Sequence, residues 1–149
     1  MRLSTIFTTL IVSVSALTIT PRGNAPKSHD NTCFSMEKGV CMGYNADAAN
    51  ATTIIKLACE QVTSCTPGVV GNRPRVTGKT LGFPYTATLY VGDQCGGTET
   101  WSTEACVDLF NVFVEERCEK QFPHVEGMFQ LGYQTAPCDG SFVSFNFGG

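Results

Sequence analysis

The sequence has little histidine: His29 and His124 are the only two in 149 residues. A general base works only with a partner held within hydrogen-bond reach. A lone His124 in "KQFPHVEG" therefore reads first as a loop residue. There is no Gly-x-Ser-x-Gly, no phosphate-binding loop and no His-Glu-x-x-His, so none of the chemistries those motifs carry is signalled. Cations are also few, with ten Lys and Arg against thirteen Asp and Glu and a net charge of −3. Binding to a phosphate backbone depends on basic side chains, so DNA is not an expected partner. After the first residues no apolar run approaches the roughly 18 residues of a spanning helix. Membrane contact is not predicted, although a local basic site leaves it open.

The cysteines lack close Cys-x-x-Cys pairs, and the tightest interval, Cys59 to Cys65, holds five residues. Zinc sites use closer spacing, so no metal is expected, and no other cofactor is signalled. What remains is an even set of eight: Cys33, Cys41, Cys59, Cys65, Cys95, Cys106, Cys118 and Cys138. In a small secreted chain such a set predicts four disulfides with open connectivity. Oxidation also removes the thiolates that nucleophilic catalysis would need.

Secretion is read from the opening residues. Arg2 precedes an apolar run to Ala16, and Val14 and Ala16 supply the small residues of a signal-peptidase site. Residues 1–16 are expected to be a signal peptide, 17–32 a flexible leader or propeptide, and 33–149 one disulfide-rich domain. Pro21-Arg22 reads equally as a processing site and as an ordinary dipeptide. The predicted localisation is extracellular.

Along the domain, "NTCFSMEKGVCMGYN" holds a weak strand signal. In the next segment Ala51, Ile54, Ile55, Ala58, Cys59 and Val62 recur at helical spacing, with Asp47 or Asn50 as cap. "TPGVVGNRPRVTGKT" reads as a loop or ragged hairpin. In "TLGFPYTATLYVGDQCGG", Leu81, Phe83, Tyr85, Ala87, Leu89 and Val91 alternate as core positions of a strand. Pro84, lacking an N–H, places that strand at a sheet edge or a bulge. The second helix is predicted over "WSTEACVDLFNVFVEERCEKQF", capped by Ser102, with a stripe of Cys106, Leu109, Phe110, Phe113 and Val114. The tail reads as a hairpin, with Phe129, Leu131 and Tyr133 on one arm, Val143, Phe145 and Phe147 on the other, and Pro137–Gly140 as turn. The expected fold is α+β: a two-layer sandwich of about four antiparallel strands packed by two helices.

The candidate functional residues are few. Glu115, Glu116 and Glu119 read as a solvated helix side, and Glu104 and Asp108 as partners of a helix dipole. His124, Glu126, Arg73 and Arg75 would serve a small secreted ribonuclease, but as loop residues they lack its positioned set. Asn50-Ala51-Thr52 is a glycosylation sequon. Arg73, Arg75 and Lys79 make a local basic run, read either as a solvated loop tip or as a binding site. With Thr86, Thr88 and Tyr90, on the polar side of the strand through Ala87, they form the candidate interface. Trp101, Tyr85 and Tyr90 are the aromatics available to a carbohydrate- or wall-binding module.

The cysteine-bearing helices "IIKLACEQVTSC" and "STEACVDLFNVFVEERC", with "LGFPYTATLYVG" between them, follow the signal peptide and the Pro-Arg leader. This order resembles small secreted cysteine-rich effectors of plant-associated fungi, and within them the α/β killer-toxin group typified by the smut-fungus viral toxins. The resemblance spans about residues 33 to 147 and is one of architecture. The interval from Cys65 to Cys95 is longer than in a compact toxin pattern. Hydrophobins need adjacent cysteine pairs, which this chain lacks, and fungal haem-scavenging domains crowd their cysteines more closely. The resemblance implies a non-enzymatic effector or toxin-like protein, a virulence or avirulence factor. It would recognise a protein target in a host or competitor, with the apoplast as one setting and a second effector as one further partner. The alternatives are the ribonuclease-like enzyme and the carbohydrate-binding module.

Overall fold

Nine residues from Gly39 to Asp47 form strand β1, and Asp47 then caps helix α1 (Ala48–Cys59), its side chain accepting from the Asn50 N–H at 2.9 Å. Strands β2 (Val76–Gly78) and β3 (Tyr85–Tyr90) follow, then helix α2 (Thr103–Leu109) and the hairpin β4 (Met128–Thr135) and β5 (Phe142–Phe147). The computed structural model describes residues 33–34, 39–114, 118, 120–123 and 125–148. The expected signal peptide and leader, Glu115, Glu116, Glu119 and His124 lie outside the described residues. Among the described residues, no helix is long and apolar enough to cross a membrane.

The sheet is antiparallel, with five strands in the order β1-β4-β5-β3-β2, where four were expected. The additional strand is β2. It is three residues long in a segment dense with Gly and Pro, too short for a period of two to show. It also makes β3 an interior strand, so Pro84 marks no edge. Pro84 precedes the first residue of β3 and withholds no ladder N–H from it, while its carbonyl accepts from the Gly148 N–H. Leu81 lies ahead of the strand and is fully exposed, whereas Ala87, Leu89 and Val91 are buried as expected.

Both helices lie on one face of the sheet. Directly paired residues give that face two cross-strand rows: Val76–Leu89–Val143–Gln134–Gly39 and Gly78–Ala87–Phe145–Gly132–Cys41. The second row alternates small residues with one large ring, and the helical layer fits it. A side chain on Gly78 would run into the Ile54 carbonyl of α1, and one on Gly132 would meet the Phe113 ring. Gly132 must therefore face inward. By alternation Tyr133 faces outward, and it does not share the burial of Phe129 and Leu131 on the same arm.

Helix α2 is shorter than its stripe implied and passes into a 3-10 turn at Phe110–Phe113. Phe110, Val112 and Phe113 are all buried, a spacing that one face of an α-helix does not supply. Tightening the last turn brings all three inward. Ser102 caps α2 as expected, accepting from the Ala105 N–H at 3.0 Å.

The four disulfides are Cys33–Cys138, Cys41–Cys118, Cys59–Cys106 and Cys65–Cys95, leaving no free thiol. Such cross-linking is typical of secreted or extracellular proteins. Cys59–Cys106 joins helix to helix, a pairing that the sequence had left open. Peptide mapping of the unreduced protein should recover these four pairs, and any other pairing would contradict the fold. Gly78→Val should lower unfolding stability by about 1–3 kcal/mol through overpacking, read as an earlier denaturation midpoint at unchanged disulfide content.

Candidate recognition surface

Among the described residues, no helix covers the opposite face of the sheet. One row there crosses all five strands: Thr77–Thr88–Ser144–Tyr133–Val40. Beside it lies Tyr90–Phe142–Thr135, and on the other side Thr86–Asn146. Arg75 precedes β2, and its guanidinium carbon stands 4.8 Å from the centre of the Phe142 ring. Alternating side chains put the two faces of each strand to opposite uses. Here one set fills the core, while the other exposes Val40, Thr77, Tyr90 and Tyr133, with Ser144 and Thr86 buried among them.

The residues proposed from sequence are divided by the fold. Tyr90, at 37% exposure, and the half-buried Thr88 lie on the open face together with Arg75. Lys79 follows β2 at the margin and is exposed. Thr86 is only 6% exposed among its neighbours. Arg73 belongs elsewhere: its guanidinium donates to the Gly92 and Val69 carbonyls at 3.2 and 3.1 Å and lies 3.6 Å from the Asp93 carboxylate. With its side chain 12% exposed, Arg73 braces the 66–75 loop against the turn after β3. Tyr133 (40% exposed), Phe142, Thr135 and Asn146 join the open face without having been proposed. Their signal was the odd–even alternation of the tail hairpin, legible only once the inward parity of Gly132 is known.

Two of the aromatics considered for carbohydrate binding are engaged otherwise. The Trp101 indole N–H donates to the Val62 carbonyl at 2.8 Å, fastening the start of α2 to the segment after α1. Tyr85 lies on the helix side, in ring contact with Phe83, Phe145 and Phe147, and Phe147 continues to Tyr44. Asn50 is exposed on α1, so a glycan there would leave the open face clear. Glu104 and Asp108 border a shallow groove of about 280 Å³ with Lys56, Thr103 and Val107. Glu126 is exposed in the loop before β4.

One end of the sheet is held by Asp139, in the β4–β5 turn. Its Oδ2 accepts from the Gln94 and Gly96 N–H groups at 2.9 and 3.0 Å, and its Oδ1 from the Ser141 N–H at 2.8 Å. The segment it grips is unusual, because Cys95, Gly96 and Gly97 all have positive φ. For Cys95 that conformation costs about 1–2 kcal/mol. The carboxylate and the Cys65 disulfide hold it in place. Asp139 also sits beside Cys33 and Cys138, but their sulfurs are bonded to each other and offer no thiolate to a metal.

Asp139→Ala should cost about 2–3 kcal/mol, because it unpairs several N–H groups from a charged acceptor. Ser141→Ala removes one neutral bond to the Gly92 N–H and should cost about 1 kcal/mol. Denaturant titration of the oxidised variants reads both, and equal losses would refute the ranking.

No protein-family model matches the chain, and neither a curated protein nor a solved structure matches it.

Proposed function

We propose that this is a secreted, non-enzymatic protein of effector or toxin type that acts by recognising a target through the open face of its sheet. One observation carries the reading: a five-strand face left bare by the helices, set with exposed Tyr90 and Tyr133 on a disulfide-locked frame. A rigid face loses little conformational freedom on binding, and aromatic side chains offer large contact area at low entropic cost. The effector reading also draws on the resemblance to cysteine-rich fungal effectors. The ribonuclease alternative loses support where Arg73, one of its proposed cations, is spent on backbone carbonyls.

Capture on immobilised oxidised protein tests the reading, with fractions from host and competitor cells applied to the parent and to a Tyr90→Ala/Tyr133→Ala variant. A ligand retained by the parent and lost by the variant is expected. Equal retention by both would refute the open face as the recognition surface. Cleavage of RNA by the purified protein, abolished in His124→Ala, would replace the reading with the enzymatic one.

A further inference from the structure

The open face runs against the charge of the molecule. The chain is acidic overall, at −3, yet residues 75–79, 86–90, 131–135, 142–146 and 39–41, which supply this face, include no Asp or Glu. Their charged side chains are Arg75 and Lys79, both exposed and both at the β2 margin. An anionic partner is thus met by cations along one side and repelled from nowhere else on the face.

The rest of the face narrows the kind of anion. Tyr90 and Tyr133 stand on β3 and β4 with β5 between them and in neighbouring rows, two strand spacings across and two residues along, roughly 12 Å apart. They can lie under different rings of one extended polymer. The C–H face of a sugar ring packs on an aromatic face by dispersion and by attraction to the ring quadrupole. Around the two rings, Thr77, Thr88, Thr135 and Asn146 supply groups that both donate and accept hydrogen bonds, the pattern that sugar hydroxyls require. Arg75, held over Phe142, has a planar fork suited to a carboxylate.

We infer that the open face binds an acidic polysaccharide, a chain of sugar rings bearing carboxylates. The inference rests on reading that face as the recognition surface and names its ligand class. A single-stranded nucleic acid fits less well, because its sites follow the backbone with a positively charged groove, whereas Arg75 and Lys79 both stand at one margin of the face. An anionic membrane would call for a larger basic cluster.

Affinity electrophoresis and titration calorimetry of the full oxidised protein test this, with three probes: polygalacturonate, its methyl-esterified form and poly(U). Polygalacturonate should bind, and the ester, which has the same rings without the charge, should bind at least tenfold more weakly. Arg75→Gln and Tyr133→Ala should each weaken binding about tenfold, the loss expected for one charge-assisted bond or one stacked ring. Thermal unfolding and peptide mapping should show both variants folded. Lys56→Gln, on the helical layer, should bind as the parent does. The assignment is overturned if the folded parent ignores polygalacturonate, if acid and ester bind equally, if poly(U) binds as tightly, or if neither variant matters. Should polygalacturonate fail while the Tyr90→Ala/Tyr133→Ala variant still loses its captured target, only the ligand class falls and the recognition surface stands.

Discussion

Helix α1 rests its own backbone on the sheet at Gly78, where the Ile54 carbonyl occupies the space a side chain would need. This close approach sets the spacing of the two layers, and much else follows from it. Ile54, Ile55 and Ala58 reach the sheet with almost no exposure, and Cys59 at the end of α1 is brought to Cys106 on α2. Phe113 finds its own opening over Gly132, so the two helical segments are seated by two glycines of one cross-strand row. Phe145 fills the space between them, packed against Phe129 and Tyr85.

A single layer of helices means that the sheet has one apolar face and one that must tolerate water. The outer residues satisfy that condition with hydroxyls, amides and a few rings, an ordinary solution for an antiparallel sheet. Less ordinary is the concentration of rings beside Arg75 at one corner of an acidic molecule. Cross-links matter more in such a thin body, since each disulfide constrains the unfolded chain by about 2–5 kcal/mol.

The sequence made α1 legible down to a choice between two caps, Asp47 and Asn50, because cap and stripe are local properties of one helix. The tail hairpin was legible for the same reason, with its turn and both arms lying within a short stretch. What stayed hidden depends on partners distant in the chain. Strand β2 is defined by β3, not by its own three residues. The inward parity of Gly132 is set by Phe113, and this sends Tyr133 outward. Arg73 looked like a free cation until the Gly92 and Val69 carbonyls were brought to it. The pairing of eight cysteines is a property of the folded topology, and no spacing rule reads it.

The two margins of the sheet are of unequal build. On one side β1 is interrupted by a register shift between Cys41 and Asn45, with Gly43 at φ +71° inside it. On the other, β2 ends after three residues, with Lys79 following. A long, flat outer strand would template hydrogen bonding to another copy and from there to fibrils; a bulge, a short strand and a lysine are each known deterrents. The same irregularities that made these strands hard to read therefore guard against aggregation, so a chain with an uncovered sheet can stay dispersed at high local concentration.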